Sequence, residues 1–421
     1  MPSRLLVLSN GHGEDLIALR VIQALHHRRP GVEISVLPLV GSGAVFAAAE
    51  GDGLLQRIGP KALLPSGGFS NQSLGGLAAD LAAGLPALSW RQWQWVRHWG
   101  RSGAPVVAVG DLLPLWLAWQ AGGAYGFIGT PKSDYTWATP AADPGLWAWL
   151  ADHYHRSKGS EWDPWEWGLM RARRCRLVAV RDPLTARGLA RHGVPALAPG
   201  NPMMDGLEWQ PIPPDLQGRR LVLLPGSRMP EALANLKRLL RALIPLPLGR
   251  LCLLLPTGSQ PTPKQLGSSL TQLGFTPSHA PESAGAAAGW RLGPIELLVG
   301  PGAFNRWAAW AELGLACAGT ATEQLTGLGC AALSLPGPGP QFTAAFARRQ
   351  SRLLGGAVEV CHDPEALAQR LPVLLADSAL RRTMGDRGRR RMGQAGGSTR
   401  LAALIAERLL PPSPPSSGGR G

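Results

Sequence analysis

The turn "SNGHGED" (9–15) sets two glycines, a histidine and two acids where an apolar run gives way to a helical pattern. Gly11 and Gly13 let the backbone turn tightly and approach a ligand, and the amides that open the helix favour an anion or an electron-rich group. Histidine is the side chain whose ordinary titration falls near neutral pH, so His12 can serve as a base; equally, it can be an exposed loop residue, with Asp15 a helix-start acid that complements the dipole. As a dinucleotide fingerprint the stretch fails twice. Leu16 stands at the third glycine position, and the next strand ends in "PLVGSG", with no acid for a ribose. Asp111, closing "VVAVGD", is a strand-end carboxylate that can act as a base or cap the following helix. "LLPGSR" (223–228) presents Gly226 and Ser227 in a turn, then Arg228, whose planar guanidinium can clamp a phosphate with two parallel bonds. In "CAGTATEQLTGLG" (317–329), Gly319, Thr320 and Thr322 open a helix with amides and hydroxyls that suit a pyrophosphate. Glu323 one turn on can accept two ribose hydroxyls, or close a capping box with Thr320. The rigid loop "LPGPGPQF" (335–342) delivers Gln341 and Phe342 to a fixed place, where Gln341 can bond sugar hydroxyls.

These stretches all follow apolar runs of strand length. "RLLVLS", "VEISVLPLV", "APVVAVGD", "GAYGFIGT" and "CRLVAVRD" alternate with helical patterns such as "EDLIALRVIQALHH". This is the rhythm of a parallel sheet covered by helices. A Pro/Gly-rich stretch without periodicity, 201–220, reads as a hinge, after which the rhythm restarts with "LVLLPGSR". The expected organisation is an N-terminal α/β domain over 1–200, a hinge over 201–220 and a second α/β domain over 221–390. A C-terminal helix over 391–410 and a disordered tail over 411–421 complete it. Two such domains facing each other give an interdomain cleft, and open α/β sheets bind ligands beyond the carboxyl ends of their strands.

A chain of 421 residues, 45% hydrophobic, is long and apolar enough for two cores. The formal net charge is +14, and 37 of the 42 basic residues are Arg, which favours anionic partners. Nucleic acid is not expected, because no recognised binding module accompanies the charge. The five Cys stand far apart without a CxxC, which supports neither a disulfide framework nor a zinc site. No secretory signal or spanning helix is legible: the most apolar stretch, 105–119, is short and interrupted by Asp111 and Pro114. The expectation is a cytoplasmic protein. "LSWRQWQWVRHWGRSG" (88–103) interleaves Trp90, Trp93, Trp95 and Trp99 with Arg91, Arg97, His98 and Arg101. That mixture suits the interface of an anionic bilayer, or an ordinary helix covering the sheet.

"LLPGSR", "AGTATEQ", the "PGNPMMD" linker and the loop before "QFTAAFA" together resemble lipid-A-disaccharide synthase and its relatives, more closely the branch called lipid-A-disaccharide synthase-related. A more distant likeness is to the muramyl-pentapeptide glycosyltransferase of peptidoglycan synthesis. The resemblance spans about residues 4 to 405 and is stronger in the second half. It implies a GT-B glycosyltransferase with two Rossmann-like domains, a UDP-sugar held by the C-terminal one and a lipid acceptor by the N-terminal one. It implies no cofactor and no obligatory metal. Arg228 matches the Arg of the family's "PGSR", beside Gly226 and Ser227. Gly319 and Thr320 match its helix start, with Thr322 a further donor-side candidate, and Glu323 matches its nucleotide-binding Glu. That Glu comes one residue earlier than in the common pattern, where Gln324 stands, so either residue can meet the ribose. Gln341 falls in the family's Pro/Gly loop; Gly13, Glu14 and Asp15 match its acceptor-side loop, which here also carries Asn10 and Gly11. Asp111 matches the family's proposed base, with His12 the other candidate. "GTPKSDYTW" (129–137) departs from the disaccharide synthase, so a different acceptor fits. The implied activity is inverting transfer of a hexosyl group, N-acetylglucosamine-type, to a lipid, by a peripheral protein of the inner membrane. The alternatives are a UDP-sugar epimerase on the same fold, or a non-catalytic relic that binds nucleotide-sugar or lipid.

Overall fold

The computed structural model describes residues 3–60, 84–140, 145–207, 210–337, 339 and 342–412. The chain divides into two compact units. The first comprises Met1–Asp134, Ser157–Met203 and Gly396–Gly421, and the second Tyr135–Arg156 and Met204–Ala395. The division is therefore not sequential. Residues 135–156 group with the second unit, although they precede the 201–220 stretch. The expected C-terminal helix over 391–410 is in fact the end of one helix, Ser378–Met392, and the whole of another, Gly397–Arg408, which fall in different units. Of the expected disordered tail, residues 413–421 lie outside the described residues.

The first unit is built on a seven-stranded parallel sheet: β1 (Ser3–Ser9), β2 (Val32–Pro38), β3 (Gln56–Arg57), β4 (Val106–Gly110), β5 (Tyr125–Gly129), β6 (Cys175–Val180) and β7 (Ala196–Leu197). Their spatial order is β3-β2-β1-β4-β5-β6-β7. Strand side chains alternate between the faces, and β1 shows why its apolar run is unbroken. Leu5 and Val7 join one buried cluster with Ile17, Val21, Leu401 and Ile405, from the helices His12–Arg28 and Gly397–Arg408. Leu6 and Leu8 join the other, with Val96 and Trp99 of the helix Leu85–Gly100 and Leu115 of the helix Leu112–Gln120. A strand covered on both sides cannot alternate apolar and polar.

The second unit has eight strands: β8 (Arg219–Leu224), β9 (Leu251–Thr257), β10 (Thr276–Ser278), β11 (Ala288–Leu292), β12 (Ile295–Pro301), β13 (Leu313–Ala316), β14 (Ala332–Ser334) and β15 (Val358–Val360). The order is β10-β11-β12-β9-β8-β13-β14-β15. β11 pairs antiparallel with β12, and β10 antiparallel with β11, an extension that the parallel rhythm of the sequence does not announce. In each sheet the order reverses at the unit's first strand: between β1 and β4, and between β8 and β13. Such a reversal leaves an open crevice at the strands' carboxyl ends, because the flanking connections leave in opposite directions.

Candidate functional site

In the first unit the crevice lies beyond β1 and β4. Gly11 has φ 130° and Gly110 φ 135°, so both turns use backbone that side chains resist. A Cβ on Gly110 would lie 2.9 Å from the Asn10 Cβ and 3.5 Å from the Glu14 Cγ, so this glycine is what lets the two turns close on each other. Gly13, Glu14 and Asp15 all fall in the first turn of the helix His12–Arg28, which no side chain caps. His12 opens that helix; its side chain is outside the described ones. The Asp15 carboxylate is buried and accepts the Ser9 hydroxyl at 2.5 Å, and burial pushes it up to about 6. Glu14 accepts the Thr130 hydroxyl at 3.2 Å, and burial, helped by the negative charge of Asp111, pushes it up to about 7. Asp111 caps the helix Leu112–Gln120 through the Leu113 amide at 3.3 Å and accepts Asn10 Nδ2 at 2.8 Å. Burial raises its affinity for a proton, while Leu113 and the Lys132 charge work the other way. Lys132, on the loop after β5, donates to the fully buried Glu166 at 2.6 Å and lies 3.6 Å from Asp163.

In the second unit the loops after β8 and β13 meet at the order reversal. Gly226, with φ 96°, brings its loop against the Cys317 carbonyl, which a Cβ there would approach to 3.5 Å. Ser227 is exposed, and Arg228 is half-buried, with burial lowering the proton affinity of its guanidinium and Glu231 opposing that shift. Gly319 precedes the helix Thr320–Gly327, whose start no side chain caps, so the Thr320–Glu323 capping box does not form. Thr322 is fully buried and donates its hydroxyl to the Ala318 carbonyl at 2.6 Å. Gln324 is buried, whereas Glu323 is only half-buried. Gln341 lies outside the described residues.

Two positioning residues escape the sequence reading. Asn235 holds the first loop through the Pro225 carbonyl at 3.1 Å, and Gln350 holds the second through the Gly319 carbonyl at 2.8 Å. Both are buried amides within the apolar stripes of their helices, and a polar residue in a core stripe is the signal that could have found them. A cavity of about 320 Å³, lined by Gly206, Gln210, Pro301, Gly302, Ala303, Asn305 and Arg306, opens at the end of β12 on the same sheet.

The Trp-rich stretch forms the helix Leu85–Gly100, which buries Leu88, Gln92, Val96 and Trp99. Trp90 is 57% exposed and Trp95 45%, with Arg91, Arg97, His98 and Arg101 also outward. The helix Leu112–Gln120 packs beside it, and the helix Pro164–Met170 beside that one; they expose Trp116 and Trp165. No described helix is long and apolar enough to cross a membrane.

No protein-family model matches the chain, and no curated protein sequence does. Solved structures match along its whole length. Acinetobacter baumannii MurG is 16% identical with a TM-score of 0.54, over 96% of this chain and 100% of that one. The calicheamicin glycosyltransferase CalG4 is 16% identical with a TM-score of 0.59, over 97% and 99%. A Listeria monocytogenes protein described as a UDP-N-acetylglucosamine 2-epimerase is 13% identical with a TM-score of 0.55, over 97% and 96%. At these identities the likeness fixes the fold: α/β, with the two Rossmann-like domains called GT-B. None of the sequence comparisons points to lipid-A-disaccharide synthase in particular.

Proposed function

We propose that the protein is an inverting glycosyltransferase that moves a hexosyl group, N-acetylglucosamine-type, from a UDP-sugar to a lipid acceptor, as lipid-A-disaccharide synthase does. The observation that carries this reading is the meeting of Gly226–Arg228 with Gly319–Glu323 at the order reversal of the second sheet. Amides of a tight turn and of an uncapped helix start, with one guanidinium, suit a diphosphate. Fixed donors there stabilise the departing UDP and need no metal. The first unit's crevice takes the acceptor, and Asp111, His12 or Glu14 supplies the base. The outward Trp and Arg of the helix Leu85–Gly100 support docking on the anionic inner membrane from the cytoplasmic side. A UDP-sugar epimerase is the second reading, supported by the fold shared with the Listeria protein; it has no use for an outward Trp/Arg helix.

The test is to incubate the protein with radiolabelled UDP-N-acetylglucosamine and extracted membrane lipid. Label in the organic phase supports transfer. A changed sugar nucleotide left in the aqueous phase supports epimerisation instead. Arg228→Met should weaken UDP binding about 10–100-fold, the cost of one charge-assisted contact. Wild-type protein that neither binds UDP calorimetrically nor turns over the nucleotide would sink both enzymatic readings.

A further inference from the structure

Glu14 and Asp111 border the same crevice, and their surroundings differ. Asp111 receives two hydrogen bonds on Oδ1, from Asn10 Nδ2 and the Leu113 amide, and faces the Lys132 ammonium. All three stabilise a carboxylate, against burial, which raises its affinity for a proton. Glu14 is held by its own backbone amide and by a neutral hydroxyl, that of Thr130; no cation among the described residues faces it, and it feels the negative charges of Asp111 from the end of β4 and Asp15 from its own helix. Neighbouring carboxylates do not both ionise cheaply, so a proton shared by the pair settles on the less supported one.

We propose that Glu14, rather than Asp111, takes the proton of the acceptor hydroxyl, and that Asp111 remains ionised beside it. The assignment rests on the transfer reading. In the step, the acceptor O–H bond breaks and its proton goes to Glu14. The oxygen's electron pair forms the new bond to the anomeric carbon, and the bond from that carbon to the UDP phosphate breaks with its pair leaving on UDP. Glu14 then returns its proton to water. A base whose proton affinity lies close to the working pH is the efficient one, and Glu14, pushed up to about 7, meets that condition. Asp111 acts on Glu14 through its charge, and Thr130 fixes the orientation of the Glu14 carboxylate.

Two measurements test this. In the first, release of UDP from UDP-N-acetylglucosamine with extracted membrane lipid is followed against pH. Wild-type kcat should rise through a single ionisation near pH 7. Glu14→Gln should lower kcat about 100-fold or more while the UDP dissociation constant stays within about two-fold, since the nucleotide loops lie in the other unit. Asp111→Asn removes a negative neighbour, so the midpoint of the surviving activity should move to lower pH. Glu14→Gln with near wild-type kcat, or an unmoved midpoint in Asp111→Asn, overturns the assignment. The second measurement needs no turnover: carboxyl carbon NMR of the labelled, full-length chain should show Glu14 titrating above Asp111. The reverse order overturns the assignment even in an active enzyme. If the chain proves inactive while Glu14 still titrates above Asp111, the transfer reading falls and the base role with it, and only the order of the two ionisations stands.

Discussion

A carboxylate is informative when its surroundings make it expensive. Glu14 is raised from 4.5 to about 7 and Asp15 from 3.8 to about 6, in both cases chiefly by burial. Between those limits the folded chain keeps protons that the unfolded chain would release. Stability is therefore favoured in acid and falls as pH rises through 6 and 7. Thermal midpoints measured from pH 5 to 8 should decline, and Glu14→Gln should flatten the decline; a midpoint that climbs with pH contradicts the burial of these groups. In the second unit, half-buried Glu323 and buried Gln324 should separate cleanly. Glu323→Ala should weaken UDP binding with little change in stability. Gln324→Ala should lower the denaturation midpoint and leave the affinity of the surviving folded protein close to wild type. Calorimetry with UDP checks both. The sequence made Gly226, Arg228, Gly319 and Glu323 legible because each follows a strand-length apolar run. It could not show which of two adjacent residues turns inward, nor that Thr322 spends its hydroxyl on Ala318, since both depend on where the helix begins relative to the sheet. The closeness of Asn10, Asp111 and Thr130 was equally out of reach, because it depends on strand order, which brings together residues 100 and more positions apart.

At the scale of the element, the helix Leu85–Gly100 combines the two roles that its Trp/Arg mixture left open, a face that covers the sheet and a face turned outward. Leu88, Gln92, Val96 and Trp99 repeat at helical spacing and face the core, and the Arg4 guanidinium lies 4.6 Å over the Trp99 ring. Trp99→Ala should cost about 3–5 kcal/mol of stability by opening a cavity, read from chemical denaturation. The double change Trp90→Ala and Trp95→Ala removes outward rings and should leave that midpoint within about 0.5 kcal/mol. It should still reduce sedimentation with phosphatidylglycerol vesicles several-fold; undiminished sedimentation argues against this helix as the docking face. Strand runs in the sequence located most of the two sheets, because a strand buried on both faces must be apolar throughout. β10 and β11 were missed for the converse reason. They extend the second sheet at its edge, where only Gly289 of β11 is buried and the apolar signal fades.

At the scale of the molecule, the chain crosses between its units more often than a two-domain sequence suggests. The helix Gly397–Arg408 contributes Leu401, Ala402 and Ile405 to the core of the first unit, against Ile17 and Val21. A fragment ending at residue 203 should therefore expose that apolar face and aggregate. Supplying a peptide of residues 396–412 should restore solubility, as light scattering would show. Nothing in the helical pattern at 397–408 says which sheet it covers; an amphipathic stripe specifies that something is buried and leaves the partner open. The same return of the chain sets an order in time. A ribosome delivers the first unit's strands early but withholds its last helix until all of Met204–Ala395 has emerged. At roughly 5–20 residues per second that delay is on the order of 10–40 s. Throughout it the nascent first unit presents a greasy face to whatever chaperones attend the exit tunnel, while the second unit has its whole sequence in hand and can fold ahead of it.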